Sequence, residues 1–269
     1  MARFGASSFI TGGLLIVSSS IAVASPIPLD LNTWSVVQYD FTLSDNGAAN
    51  WVIEDNGTTA RQTENALASI LLGDFDFVDA QIEGTWRLDA DYDDDFMGFV
   101  FGFQNPGQFY LFDWKQNDQL STEGGGFASQ GMNLRLIDAG PDGTPGTTDL
   151  WATGADAGPY VEFLRQNNLP YSDFVDYTFR LNFQPGQFEI TILEGNTILE
   201  NWLVEDDTYT SGQFGFYNLS QNDVLYSGFM LDNDPPAIGE VPVPVPASFA
   251  LMTVGLLGLW QTRRGARAG

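Results

Sequence analysis

Apolar and polar residues alternate along most of residues 29–234, with the two-residue period that is typical of half-buried β-strands. Three segments show this period best, with turn residues between them: 82–90, 176–184 and 187–195. The sequences QPGQ at 184–187 and EGN at 194–196 predict tight turns. No stretch shows the period of an amphipathic helix. We therefore predict one all-β domain over 29–234, a two-sheet antiparallel sandwich of the jelly-roll type with about 11 to 13 strands and at most a short helical turn.

The segment DDDFMGFVFGFQ at 93–104 is apolar on both faces of its predicted strand. The turn NPGQ at 105–108 joins it to a second aromatic segment, FYLFDW at 109–114, so the two predict a hairpin. Strands without polar faces belong in the centre of a sandwich, and glycines let a neighbouring backbone or ring lie against a strand. The acidic triplet (Asp93, Asp94 and Asp95) then lies at the entry of this strand, on a rim that water reaches.

The N-terminal 24 residues form a predicted signal peptide. An apolar run follows Arg3 and ends at Ala22-Val23-Ala24, the small-x-small pattern that signal peptidase cleaves. The prolines that follow directly argue against a buried first helix. We therefore expect the chain to be secreted.

The C-terminal segment 247–269 resembles a PEP-CTERM sorting signal of Gram-negative bacteria that make exopolysaccharide. A proline-rich spacer, 235–246, leads to about twelve uncharged residues, which is short for a membrane span. The residues that carry the resemblance are Pro244, Pro246, Ala247, Arg263 and Arg264. The resemblance implies transient membrane anchoring, processing by an exosortase-type enzyme and display on the outer surface or in the extracellular matrix. A valine stands where the motif has glutamate, and a simple C-terminal anchor is the alternative.

The charge of the chain restricts its partners and its chemistry. Thirty-five acidic residues face ten basic ones, and the net charge is −25, so nucleic acid is a poor partner. The absence of His and Cys excludes Ser-His-Asp catalysis, thiol nucleophiles, disulfides and zinc held by imidazole or thiolate. Oxygen ligands for calcium, sugar binding and a two-carboxylate glycosidase remain.

Six segments follow one another in the order and with the spacing of a known extracellular module. They are Glu83-Gly84-Thr85; 93–104; 109–116, which ends in Trp-Lys-Gln; LRLIDAG (134–140) with LWATG (150–154); ITILEGN (190–196); and SGQFGFYNLSQNDVLYSGF (211–229). The chain resembles the C-terminal region of thrombospondins over roughly 75–231. The resemblance implies a sandwich related to L-type, concanavalin-like lectins that binds calcium and acts in extracellular contacts. The repeats and cysteines that precede this region in thrombospondins are missing, so their partners are not implied.

The acidic triplet is the predicted calcium site. Calcium takes six to eight oxygen ligands, and adjacent carboxylates at a turn supply two or three. Three clustered anions with no Lys nearby repel one another, which a cation would relieve. Asn117 and Asp118 follow the partner strand, and the hairpin brings them toward the same rim. The alternative is a solvated acidic turn that discourages pairing between strand edges.

Three weaker candidates complete the chemistry. Glu189 and Glu194 are near the spacing of a laminarinase-type acid pair, but a regular strand places them on opposite faces, and a Thr replaces the Asp expected between them. The loop 138–149 carries Asp138, Asp142 and Asp149 without the order of a calcium hand, and predicts a surface turn. Four tryptophans near strand ends are expected in core or rim packing rather than on a sugar platform: Trp34, Trp51, Trp151 and Trp202.

The function expected from these observations is a non-catalytic, calcium-stabilised lectin-like module for adhesion or matrix binding. Its expected partner is an exopolysaccharide or a surface protein. A glycan hydrolase or lyase of the same fold and a purely structural matrix protein are the alternatives.

Overall fold

The computed structural model describes residues 26–40, 47–121, 124–235 and 237–239. The predicted signal peptide, the predicted sorting segment and most of the spacer lie outside the described residues, so their predictions stay untested. Among the described residues, no helix has both the length and the apolar character needed to cross a bilayer.

Antiparallel β-strands make up most of the described chain. They are β1 (Ile27–Pro28), β2 (Ser35–Gln38), β3 (Trp51–Glu54), β4 (Thr59–Gln62), β5 (Ser69–Asp76), β6 (Ala80–Leu88), β7 (Phe96–Asn105), β8 (Gln108–Lys115), β9 (Gln119–Leu120), β10 (Phe127–Ala128), β11 (Gly131–Asp138), β12 (Val161–Gln166), β13 (Tyr177–Gln184), β14 (Gln187–Glu194), β15 (Thr197–Glu205), β16 (Gln213–Leu219) and β17 (Val224–Asp232). A one-turn helix, α1 (Thr147–Leu150), and three short 3-10 turns interrupt them.

The number of strands among the described residues exceeds the prediction of about 11 to 13. Six of these seventeen strands have only two to four residues: β1, β2, β3, β4, β9 and β10. So short a strand contains at most two cycles of alternation, which the sequence pattern cannot distinguish from a loop. The predicted turns at 184–187 and 194–196 connect β13 to β14 and β14 to β15.

Two large sheets form the predicted sandwich. Sheet 1 has the order β15-β14-β13-β6-β17-β4-β3, with β1 paired to β17 beyond the end of β4. Sheet 2 has the order β12-β11-β8-β7-β16-β5-β2, and β9 and β10 form a separate two-stranded ribbon. Strands β7 and β8 occupy the middle of sheet 2, as the aromatic hairpin predicts.

Aromatic rings fill the space between the two sheets. Trp86 of sheet 1 stacks on Phe112 of sheet 2 at 5.8 Å between ring centroids, and Phe179 of sheet 1 stacks on Phe99 of sheet 2 at 4.9 Å. All four rings are fully buried. Each large ring removes more apolar area from water than an aliphatic side chain does, and stacking adds a geometric preference. This layer therefore fixes how the two sheets face each other.

Sheet 2 is buried on its outer face as well, so packing between the two sheets accounts for only one of the two apolar faces of the hairpin. Helix α1 and the residues after it lie over this face, where Trp151 packs edge-on against Phe96 at 5.6 Å. Val100 and Leu111 belong to this second apolar cluster. Because both faces are covered, the first eight residues of β7 are all buried.

Gly98 lets β8 approach β7 closely. A Cβ atom built at Gly98 would lie 1.9 Å from the carbonyl oxygen of Phe112, inside any allowed contact. Since the atom in the way belongs to the backbone of a central strand, it cannot rotate aside. This is the role that the sequence assigned to the glycines of this hairpin.

We predict that Gly98→Ala lowers the free energy of unfolding by about 3 kcal/mol, because the added methyl group must push two central strands apart. Urea denaturation measures this loss. The control is Gly47→Ala, since a Cβ at Gly47 meets nothing within 4 Å. A Gly98→Ala protein as stable as the control would contradict the close approach.

Candidate functional site

The acidic triplet lies at the rim of sheet 2, directly before β7, as predicted. Asp93 and Asp94 are half-buried, whereas Asp95 is only 3% exposed. Pairing of β7 with β8 brings the residues after β8 to the same rim. The result is a depression of about 310 Å³ lined by Asp91, Tyr92, Asp93, Asp94, Gln116 and Asn117.

Lys115, the single lysine of the chain, lies against the acidic triplet. Its ammonium group has no solvent exposure, donates to Asp95 Oδ1 and lies 3.4 Å from Asp94 Oδ1. It also donates to the Asp94 carbonyl at 3.2 Å. The expectation that no Lys stands near the triplet is therefore wrong. The triplet and Lys115 together carry a net charge of −2 when all four groups are ionised.

A second ion pair lies next to Lys115 on the outer face of sheet 2. Arg135 contacts Asp113 with 2.6 Å between Nε and Oδ2, and both side chains are fully buried. Both cations lie over the Phe96 ring, with Lys115 Nζ 5.2 Å and Arg135 Cζ 5.7 Å from its centroid. The negative face of the ring favours both cations. Two buried positive charges therefore each have a carboxylate and an aromatic partner.

Hydrogen bonds hold Asp93 in place, but its ionised form is electrostatically unfavourable. Its carboxylate accepts hydrogen bonds from Asn65 Nδ2 at 2.8 Å and from the backbone N–H of Asp94 at 3.1 Å. Burial, followed by repulsion from Asp95, raises the pKa of Asp93 to about 7; repulsion from Asp94 adds to the rise, and the hydrogen bond and Lys115 only partly oppose it. Ionised Asp93 therefore lacks sufficient positive charge around it.

The donor set fits a hard divalent cation. One oxygen from each triplet carboxylate lies within 4.8 Å of the others. Two oxygens bound to one calcium ion at about 2.3–2.6 Å are separated by at most about 5 Å, so the spacing is compatible with shared ligation. Lys115 binds Asp95 closely and lies farther from Asp94, at 3.4 Å from its Oδ1, and only Asp93 and Asp94 of the triplet line the depression. Asp93 and Asp94 are therefore the better ligands, with Asn117 on the same depression. Calcium accepts such carboxylate and amide oxygens.

Asp118 does not line this depression. Its Oδ1 instead accepts the backbone N–H of Gln130 at 2.8 Å, so it fixes the start of β11. The structure therefore brings four of the five predicted metal-site residues close to one rim and separates the fifth. Lys115 is not among the residues that the sequence predicts for this site, although it is the only lysine of the chain.

The candidate acids Glu189 and Glu194 do not form a two-carboxylate site, as their strand positions predict. Glu189 Oε1 accepts from Asn201 Nδ2 at 2.9 Å, and the same amide donates to Thr191 Oγ1 at 2.8 Å. Glu194 is exposed at the turn into β15. The register shift nearby adds its extra residue, Leu199, to β15 rather than β14, so it does not realign the two acids.

The loop 138–149 is only partly the surface turn expected. Asp138 and Asp142 are exposed, but Asp149 is buried in α1. Asp149 Oδ2 accepts the N–H of Gly146 at 2.7 Å, and its Oδ1 accepts the N–H of Tyr160 at 3.1 Å. Asp149 therefore holds the segment that covers sheet 2.

The four tryptophans near strand ends take packing positions. Trp34, Trp151 and Trp202 are buried, and Trp51 is half-buried against Tyr226 at 5.4 Å. None of them forms an exposed platform.

The fold and the rim define a lectin-like sandwich with an acidic edge. The family model of the thrombospondin C-terminal region matches residues 46–233, and the chain belongs to this family. The match confirms the resemblance predicted over 75–231 and extends it toward the N-terminus.

This chain is similar to one part of each of two known thrombospondins. Thrombospondin-2 of Homo sapiens is 30% identical over 190 residues, which is 66% of this chain and 16% of that protein. Thrombospondin-4 of Mus musculus is 30% identical over 188 residues, 66% of this chain and 19% of that protein. The chain thus spans less than a fifth of the length of these relatives.

A solved structure shares the fold at low identity. The VIP36 exoplasmic/lumenal domain, in a Ca²⁺/Man2-bound form, aligns with a TM-score of 0.51 and 8% identity over 78% of this chain and 83% of that one. This likeness confirms the lectin-like sandwich.

We predict that Lys115→Met destabilises the fold by about 3–5 kcal/mol, because it leaves the buried Asp95 carboxylate without a counter-charge. Denaturant unfolding measures the loss, and adding Asp95→Asn to the same chain should restore part of it. Arg180→Met is the control, because its ion pair with Glu83 is half-exposed and should be worth below about 1 kcal/mol. Equal effects of the two single changes would contradict the role of Lys115.

Asp93 predicts a pH dependence of stability in chelator-treated protein. An unfolded Asp titrates near about 3.9, whereas in the fold the pKa of Asp93 is about 7, so the native state favours the protonated form. Its contribution is neutral below the unfolded value and destabilising as pH rises to 7 and above. Between pH 5 and 8 the melting temperature should fall more in the native sequence than in Asp93→Asn. Parallel curves would show that Asp93 is not perturbed.

Proposed function

We propose that this chain is a non-catalytic, calcium-binding, lectin-like module that is secreted and acts in adhesion or in binding an exopolysaccharide or a surface protein. The observation that carries the calcium part is the uncompensated charge of the triplet. Lys115 neutralises one of three carboxylates whose oxygens lie within 4.8 Å of one another. A divalent cation would balance the remaining charge.

Calcium would act structurally in this role. Asp93 is joined through Asn65 to Ser220, because Ser220 Oγ and Asn65 Oδ1 lie 3.0 Å apart, and Ser220 directly follows β16. Asp94 is joined through its carbonyl to the backbone N–H of Gln116 at 3.1 Å, directly after β8. A cation on both carboxylates would therefore connect the ends of three central strands of sheet 2.

Two further observations support a binding module. The family is that of the thrombospondin C-terminal region, and the VIP36 domain that shares the fold was solved with Ca²⁺ and Man2 bound. Glu189 and Glu194, the two acids considered for a glycosidase, do not face each other as a pair, since Glu189 accepts from Asn201 on the strand and Glu194 is exposed at the turn into β15. Delivery by the predicted signal peptide and sorting segment, and processing by signal peptidase and an exosortase, are part of the proposal.

We expect calcium to raise the melting temperature by several degrees at saturating concentration and EDTA to reverse the rise. An ion present at about 100 times its Kd stabilises the native state by about 2.7 kcal/mol. Differential scanning fluorimetry or calorimetry measures the shift. Asp93→Asn and Asp94→Asn should each remove most of it, since each deletes a ligand charge.

Asp207→Asn is the matched control, because Asp207 is an exposed acid after β15 and outside the triplet. It should keep the full calcium shift. No shift with millimolar calcium in the native sequence would overturn the metal proposal, and a shift that survives in both triplet variants would place the ion elsewhere.

A further inference from the structure

A groove with the chemistry of a saccharide site lies between the β9–β10 ribbon and the residues after α1. It has a volume of about 370 Å³, and its lining includes Phe127, Ser129, Thr153, Asp156 and Gln166. This size falls in the range of about 300–1,000 Å³ that is usual for small-ligand sites. The groove shares no residue with the depression at the acidic triplet.

Phe127 presents an exposed ring to this groove. Its side chain is 39% exposed, although large apolar side chains are usually buried. Its backbone N–H donates to Asp156 Oδ2 at 2.9 Å, and its carbonyl accepts the N–H of Thr153 at 2.8 Å. The ring therefore lies on an anchored backbone, which lowers the entropy lost when a ligand stacks on it.

Polar atoms with spare hydrogen-bonding capacity lie around the ring. Asp156 Oδ1 has no partner among the described residues, while its other oxygen holds Phe127. Gln166 Nε2 donates to Asn133 Oδ1 at 2.9 Å, which fixes the amide and leaves Oε1 without a partner in the described part of the chain. Ser129 and Thr153 are joined through their hydroxyls at 3.0 Å. These groups supply acceptors and hydroxyls beside an apolar face.

The ribbon that carries Phe127 is tied to buried groups of sheet 2. Lys115 Nζ donates to Gln119 Oε1 at 2.8 Å on β9, and Trp151 Nε1 donates to the carbonyl of Gly126 at 3.2 Å. Lys115 Nζ also lies 5.0 Å from the Trp151 ring. A short ribbon of two residue pairs is not stable by itself, so these contacts hold the groove open in one shape.

We propose that this groove binds a neutral saccharide of one or two pyranose rings. The C–H face of a pyranose stacks on the electron-rich face of Phe127, and its hydroxyls donate to Asp156 Oδ1 and Gln166 Oε1. Asp156 is the charged residue of the groove lining, so a uronate or sulfated sugar would be repelled. The inference deepens the proposed function by naming the ligand class of the binding module, and it rests on that function.

Saturation-transfer NMR on the full chain tests the groove. The probes are methyl pyranosides of glucose, galactose and mannose, the disaccharides cellobiose and mannobiose, and methyl glucuronoside as the charged probe. We expect transfer to at least one neutral probe and none to the glucuronoside. Phe127→Ala and Asp156→Asn should each raise the Kd of the neutral probe at least about tenfold, as expected when a stacking or acceptor group is lost. Asparagine keeps an oxygen for the Phe127 N–H, so the groove retains its shape.

The controls separate this inference from the calcium proposal. Leu203→Ala removes an exposed apolar side chain on β15, and Asp207→Asn removes an exposed acid, so both should bind sugar as the native sequence does. If no neutral probe shows transfer, or if Phe127→Ala and Asp156→Asn bind sugar as the native sequence does, the proposal that this groove binds a saccharide is wrong. If the calcium shift persists in that case, the metal proposal stands; if the shift is absent while sugar binds, only the metal proposal fails.

Discussion

The contact between Lys115 and Asp95 is the interaction on which the functional end of this molecule depends. A lysine without solvent exposure needs a counter-ion, because burying an unpaired ammonium costs several kcal/mol. Once Asp95 satisfies this need, the same ammonium group orders the Asp94 carbonyl and Gln119. The Lys115 ammonium group therefore contacts both the acidic rim and the ribbon beside the groove. Most of the triplet's negative charge remains outside this pair.

Burial of sheet 2 on both faces explains why this charge is buried at all. Side chains alternate along β8, so Trp114 points between the sheets and Lys115 points to the outer face. In a sandwich with a solvated outer face, Lys115 would reach water. Here α1 and Trp151 cover that face, and the polar residues of β8 and β11 form ion pairs beneath them. Buried polar residues of these strands therefore hold the segment that covers the outer face, as Arg135 does by donating to the carbonyl of Ala152.

The sequence predicts the architecture because the long strands carry clear alternation and short turns. The fold class, the central aromatic hairpin and the position of the triplet at its rim follow from that pattern. The partner of the triplet does not follow, because it depends on a bulge. Phe101 pairs with Tyr110 but Asn105 pairs with Gln108, so β7 has two more residues than β8 in this interval.

If the pairing continued regularly from Asn105 and Gln108 at the turn, Lys115 would lie opposite Gly98. The bulge, where Gly102 has φ +56, moves it two positions toward the triplet while keeping its face. A positive φ at one glycine is not visible in an apolar strand pattern. The groove escapes prediction for a related reason: Phe127 and Asp156 are 29 residues apart and meet only because two irregular segments fold over sheet 2.

The pairing of the first and last strands has a mechanical meaning for a chain held at either end. Ile27 is the partner of Leu231 and Pro28 of Met230, so the described fold begins and ends at adjacent points of sheet 1. Tension that separates these two points unzips β1 first, since it has only two residue pairs. The load then passes to β17, which is bonded to β6 along most of its length and to β4 at its start. Strand β1 therefore detaches at low force, and the sheets with the aromatic rings between them bear the force only afterwards.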